Sequence, residues 1–560
     1  MIISSFLGEM PGQGDLGKPI NAADVASNLL LDEGLVPKSF IVTQVSQVTA
    51  DDKSVVRIDG QTYTLPAGFV ARSPLANDTN GRIYYTYDAP VDGQTAYVVY
   101  SRGTDGRLLG ANSVVRKLGV PIPSAADITI NGVAAGPSFG GGQVVPLDAT
   151  TTTTPQATIA PPTGEAPVAT YYAITLTNEW GEEGALSSAS QQAVIYSNTT
   201  VAIERPTEAL GADIAKWNIY MANNGQWQFL QEVDKATPNV TLVGDAAKYP
   251  ALGEVCPSLD WLPPPVDIKG LVAMSGGFMA AYSGRHLVCS EPYLPHAWPS
   301  AYSYPVQYDI LGIVPVSGGA IIVTNGRQYA ALGATPSALQ LQQLEMDAGC
   351  VSRDSIIDMG EYAVYASTIG LVKMSLQSVE LISQAAFSRH AWQSVNPSSI
   401  KAMRIKHYYV FQSSNTPVYV LDTNTGVFTR TDKLNLTQFY RGFYDPTDDL
   451  TYAIKLDGTA TLNSIGIDFT PGSVWESRIL HSNNGIAPSW GQIDADSYPV
   501  TLEFGTSETG TTFTYRTYTV NNRKPFRLAA GREVFAKFRL SNFGGQIYRV
   551  VLTNDRKEFV

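Results

Sequence analysis

Between residues 266 and 466 the chain repeats itself, and this repeat limits the possible folds more than any other feature. Apolar β pairs begin near Lys269, Ile310, Asp354, Ile400 and Phe439, at intervals of 41, 44, 46 and 39 residues. Each unit holds an apolar strand, a turn, a second apolar strand and a more polar pair. Leu271-Val-Ala-Met274 followed by Phe278-Met-Ala-Ala281 is one example, and Ile356-Ile-Asp-Met359 followed by Ala363-Val-Tyr-Ala366 is another. Four strands in about 40–50 residues is the pattern of a β-propeller blade. A propeller must close on itself and only five units are visible, so residues 37–123 are expected to contribute to closure.

The flanking segments carry turn punctuation rather than helical periodicity. Asp-Gly or Asn-Gly pairs occur at nine places, from 59–60 to 484–485, and these dipeptides tolerate the positive φ of tight hairpins. Only 16% of residues are charged, against a norm of about 25%. The polar surface is therefore built from Ser, Thr, Asn, Gln and 49 glycines, and with 29 tyrosines this is the profile of an all-β chain. The expected fold is all-β, with an irregular β-propeller body, an inserted fibronectin-III-like β-sandwich and a C-terminal β module. Residues 1–36 read as an N-terminal arm. Within it Asn21–Glu33 is either a capped helix ending at Gly34 or an extended stretch with one helical turn. The Ala, Gly, Thr and Pro of 124–166 read as a linker or long loop. Alternation in Trp217-Asn-Ile-Tyr-Met221 marks 167–258 as the sandwich, expected to fold independently. Residues 266–466 supply the propeller blades and 473–560 a C-terminal β-sandwich.

Charge excludes several function classes. A net charge of −12 argues against coating nucleic acid or an anionic membrane, since both need a basic surface. The last forty residues, with nine Arg/Lys and three Asp/Glu, form a basic end on an acidic body. Three scattered cysteines, Cys256, Cys289 and Cys350, fit a reducing compartment and supply no disulfide framework. No apolar run approaches the roughly 18 residues of a membrane-spanning helix. The five histidines lack metal-site spacing, so no metal and no cofactor is expected. Gly136-Pro-Ser-Phe-Gly140 has the letters of a nucleophile elbow but not its strand–turn–helix setting. Gly12-Gln-Gly-Asp-Leu-Gly-Lys18 resembles a phosphate loop until Pro19, which stands where Ser or Thr must hold magnesium. The propeller carboxylates form no recognisable pair, and no enzymatic activity is expected.

One segment departs from this background. Ser290-Glu-Pro-Tyr-Leu-Pro-His-Ala-Trp-Pro299 is a rigid Pro-rich loop whose aromatics either pack across the propeller or contact a neighbouring module or subunit. Tyr293, His296 and Trp298 are the expected interface anchors. With Asp260-Trp-Leu-Pro-Pro-Pro265, Lys269-Gly-Leu-Val-Ala-Met274, Cys350-Val-Ser-Arg-Asp-Ser355 and Tyr172-Ala-Ile-Thr-Leu-Thr-Asn-Glu-Trp-Gly-Glu-Glu-Gly184, this loop resembles the tail nozzle, or tail tubular protein B-like, family of short-tailed bacteriophages. The resemblance is scattered over most of 20–470 and weaker in 473–560.

The resemblance implies a structural virion protein of the tail, assembled in the host cytoplasm. It implies a homohexamer ring that extends the DNA-ejection channel below the portal or head–tail adaptor proteins. Tail fibre or spike proteins are its further expected partners, and viral DNA would pass through the lumen without specific binding. In such a ring the 266–466 propeller is expected to present Asp/Glu to the lumen, with the basic 521–560 segment facing away. The competing reading is a receptor- or glycan-binding propeller of the virion tail, using tyrosines as stacking platforms.

Overall fold

A computed structural model describes residues 1–560 apart from 15–16, 32–33, 76–77, 79–80, 92, 131–132, 135–161, 207–209, 415, 530–531 and 560. The nucleophile-elbow lookalike at 136–140 and most of the 124–166 segment lie outside the described residues.

The fold is all-β, with an irregular propeller body. Among the described residues, six sets of four antiparallel strands are arranged as blades. Blade one runs from Gly68–Arg72 to Val114–Lys117. Blade two runs from Lys269–Ala273 to Ser303–Pro305, and blade three from Ile310–Val316 to Gln340–Gln343. Blade four spans Ile357–Asp358 to Val379–Leu381, and blade five Lys401–Ile405 to Phe428–Thr431. Blade six takes Phe443–Asp445, Leu450–Asp457 and Thr459–Phe469 from one end of the body and its outer strand, Lys38–Gln47, from the other. The first strands of all six blades line one central channel.

The ring is held by apolar clusters between blades, because each sheet buries both faces. Ala71, Tyr84 and Val98 of blade one meet Leu271, Met279 and Ala281 of blade two. Val314 and Ile321 of blade three meet Ile356 and Tyr365 beside them in blade four. Between blades six and one lies an extra hairpin, Ser54–Ile58 with Gln61–Leu65, which offers Val55 to Ile454 and Val56 to Tyr85. Its Asp59-Gly60 turn has positive φ at both residues, 52° and 79°, the geometry that Asp-Gly favours. Arg57 of this hairpin reaches Asp445 of blade six at 3.4 Å.

The inserted sandwich leaves the body after blade one and returns before blade two. Tyr172–Asn178, Ile214–Asn223 and Gln226–Asp234 form one sheet. Facing it are Thr200–Glu204 and Asn239–Val243. Ile128–Ile130, inside the segment read as a linker, pairs with Val201–Ile203, so this sheet takes a strand from upstream of 167.

The arm also differs from its helical reading. Ala23–Ser27 is a strand that pairs in parallel with blade five at Ser27–Arg430. It pairs antiparallel with Val474–Ser477 of the C-terminal module. Tertiary pairing overrides the helix propensity of its alanines, as it routinely does for short segments. The result is one ten-stranded sheet shared by the propeller and the C-terminal module.

Candidate functional site: the module junctions and the propeller channel

Three places concentrate polar groups. The first is the junction between the sandwich and the body, centred on Glu182. Its Oε1 accepts from Arg82 Nη1 of blade one at 2.5 Å, and its Oε2 accepts from Tyr100 Oη at 3.0 Å. Asn178 Nδ2 donates to the same Oε2 at 2.8 Å. Trp180 lies flat on Tyr100, ring centroids 3.5 Å apart. Burial disfavours the Arg82 charge, yet its hydrogen bond to Asp78 and the Glu182 carboxylate hold the guanidinium above its ordinary value.

The Pro-rich loop comes in beside this node. His296 is 4% exposed, with Nδ1 3.9 Å from Glu182 Oε1 and its ring edge-on to Trp261. Neither ring nitrogen reaches a partner at full hydrogen-bonding geometry, and burial holds the imidazole below its ordinary value against the pull of Glu182 and the Glu183 backbone. Trp298 is 3% exposed, joins the blade one–blade two core and donates from Nε1 to Pro295 O at 2.9 Å. Both side chains therefore pack within the chain, where blade one, blade two and the sandwich meet. Tyr293 is 60% exposed and holds a left-handed backbone, φ 61°. Its ring covers Gly277, where an added Cβ would sit 2.5 Å from the ring. Of the three anchors expected from sequence, Tyr293 is the one a second molecule can touch.

The second place is the seam along Ala23–Ser27. Asp24 takes Lys18 at 2.6 Å and Lys537 at 2.8 Å, and Glu476 takes Lys537 at 2.5 Å and Arg539 at 2.6 Å. Glu9 pairs with Arg430 at 2.5 Å and accepts from Ala26 N at 2.7 Å. Carboxylates and cations here alternate across four segments, and each of these charges has a partner.

The third is the channel. Phe69 and Arg441 stand at its waist, shared by two chambers. One chamber, of about 340 Å³, contains Asp358, Arg404 and Tyr444, with the Arg404 guanidinium 4.3 Å from the Tyr444 ring centre. The other, of about 130 Å³, contains Arg353, Arg441, Lys53 and Lys401 against Asp88 and Asp354. Arg353 and Arg441 both lie over the Phe69 ring, at 5.0 and 4.4 Å from its centre. Arg353 Nη1 pairs with Asp88 at 3.0 Å, while its buried Nε and Nη2 have no hydrogen-bond partner. Burial and the Arg353 charge together hold the Arg441 guanidinium below its ordinary value.

All three cysteines are buried and unpaired with one another. Burial pushes the Cys289 thiol up to about 12 and the Cys350 thiol up to about 11. Among the described residues no group of three or more His, Cys, Asp or Glu has metal-site geometry, and no helix is long and apolar enough to cross a membrane. Sequence reasoning did not single out Glu182, Arg353 or Arg441, although Glu182 and Arg353 lie inside motifs that carried the family resemblance. The missing information was which distant residues they face.

No family model and no curated protein matches the chain. Among solved structures it is similar to the WD40 domain of Pan2 from Neurospora crassa. That likeness has 8% identity and TM-score 0.25, covering 47% of this chain and 72% of that one. It is also similar to U3-55K, at 8% identity and TM-score 0.28, covering 74% of this chain and 99% of that one. The RRP9 WD40 repeats match at 8% identity and TM-score 0.26, covering 48% and 91%. The propeller assignment rests on the six blades of this chain itself.

Proposed function

We propose that the chain is a structural component of a bacteriophage tail, a nozzle whose copies close into a hexameric ring. In this reading the ring prolongs the DNA path below a portal or head–tail adaptor and carries tail fibre or spike proteins on its outside. The chain acts by shape and strength and performs no catalysis. The observation that carries the reading is the ten-stranded sheet that runs from blade five through Ala23–Ser27 into the C-terminal module. A tail conduit under internal pressure needs modules that do not shear apart, and shared backbone hydrogen bonds resist shear better than side-chain contacts alone. The motif resemblance supports the choice of a tail nozzle over other structural roles. The propeller channel is filled at its waist by Phe69 and Arg441, so the DNA path in this reading is the lumen between protomers.

Electron microscopy of tails containing the chain tests this directly. The expected result is six-fold density with the chain in a closed ring and carboxylates predominant on the lumen wall. A single copy outside any ring, or a lumen ringed by Arg and Lys, would overturn it. A glycan-array signal from the isolated chain, with no ring in particles, would instead establish the receptor-binding alternative.

A further inference from the structure

We propose that the smaller chamber of the propeller channel is a binding site for a small tetrahedral oxyanion, phosphate or sulfate. The free Nε–Nη2 edge of Arg353 takes two of its oxygens and the Arg441 guanidinium takes another. Nε–H and Nη2–H of a guanidinium point the same way, and together they form the fork that matches two oxygens of one anion. Here both atoms of that edge are buried and meet no acceptor at hydrogen-bonding geometry, while Asp88 lies 3.0 Å from Nη1 on the opposite edge. Buried donors are seldom left unpaired in a native protein. Arg441 adds a second guanidinium over the same Phe69 ring, and among the described residues it makes no ion pair.

The local charge points the same way. Four cations line the chamber (Lys53, Arg353, Lys401 and Arg441) against two carboxylates, Asp88 and Asp354. This excess is set in a chain of net charge −12. Two like charges facing one ring repel each other unless something negative sits between them, and a doubly charged oxyanion would relieve that repulsion. The residues come from blade one, the hairpin before it, the approach to blade four, blade five and the approach to blade six. A bound anion would therefore bridge charged side chains contributed by several blades.

The site does not depend on the tail assignment, since binding is read on the isolated full-length chain. Phosphate and sulfate are titrated against it by calorimetry and thermal denaturation, with chloride balancing ionic strength. Saturable binding and a melting temperature raised by phosphate, but not by matched chloride, are expected. In Arg441→Gln the affinity should fall at least about tenfold, the loss expected from one charge-assisted contact. Arg441→Lys should retain part of the affinity. Arg532→Gln should bind as wild type, because Arg532 is an exposed residue whose guanidinium contacts Asn484 O of the C-terminal module. Arg353→Gln should abolish binding. If that variant misfolds through loss of the Asp88 pair, Arg441→Gln decides alone, having no ion pair to lose. Phosphate behaving as chloride does in the wild type, or unchanged affinity in Arg441→Gln, would overturn the site.

Discussion

The C-terminal module and the inserted sandwich are attached to the same propeller by different physics. The C-terminal module shares a sheet with blade five, and its core takes Ile3, Phe6, Ala23 and Ala26 from the arm at the other end of the chain. The sandwich has its own core around Trp217, Tyr172 and Ile203, and meets the body through side chains gathered at Glu182. Backbone pairing makes one cooperative unit, whereas a side-chain node leaves two units that can part. The comparison implies that the body and C-terminal module melt together and the sandwich melts separately.

Excising the modules should show the largest contrast. A fragment of residues 120–258 keeps every strand of the sandwich that the structure describes and should give a folded β spectrum by circular dichroism. A fragment of residues 473–560 loses the arm strands on both of its sheets, Ile2–Ile3 and Ala23–Ser27, and should be unfolded. A folded 473–560 fragment would break the comparison.

Next in size is Trp475→Ala. Trp475 is fully buried between Phe6 and Phe538, and its Nε1 donates to Leu7 O. Removing it should cost about 3–5 kcal/mol. By scanning calorimetry that loss should fall on the shared transition of body and C-terminal module, leaving the sandwich transition in place. Glu182→Gln should do the reverse. Asp78 still neutralises Arg82, so the loss is about 2 kcal/mol. It should appear as faster proteolysis near 118–124 and 258–265, with the propeller transition barely moved. Equal shifts in both transitions for either variant would show the modules to be coupled more tightly than their contacts imply.

The junction should also respond to acid. The unfolded chain protonates His296 near the ordinary value of 6.5, whereas burial holds the folded imidazole below it. Between those values the unfolded state binds more protons, so stability falls as pH drops below about 6.5. Glu182 lies close enough to favour the protonated ring, and Arg82 opposes it, so the slope reports their balance. His296→Gln should flatten that slope in pH-dependent melts. An unchanged slope would assign it to other groups.

What the sequence disclosed, and what it hid, divides along the range of the interactions. Apolar periodicity is local, and the repeats marked at Lys269, Ile310 and Ile400 begin at or beside the observed inner strands Lys269–Ala273, Ile310–Val316 and Lys401–Ile405. Ala23–Ser27 carries a locally helical sequence, and its strand state is imposed by Arg430 and by Val474–Ser477, more than four hundred residues away. The Pro-rich loop was visible as rigid and aromatic. Which of its rings point inward depends on docking against Trp261 and Glu182, and so was not visible. The Arg353–Arg441 chamber was hidden for the same reason, since Phe69, Asp88 and Lys401 complete it from other blades.

Tyr293 offers the smallest effect on the isolated chain. An exposed tyrosine in a left-handed conformation gains little from burial and carries a steric penalty that Asn or Gly would avoid. Against that, its ring shields Gly277, and its backbone N–H donates to Gly277 O at 2.7 Å, a bond that any non-proline residue keeps. The two side-chain contributions oppose each other, so Tyr293→Asn should change the stability of the isolated chain by less than about 1 kcal/mol. A loss well beyond that in thermal denaturation would mean that the ring is part of the blade two core, despite its exposure. A near-neutral melt combined with failure to assemble into tails would identify Tyr293 as a side chain held against its own backbone preference for contact with another subunit.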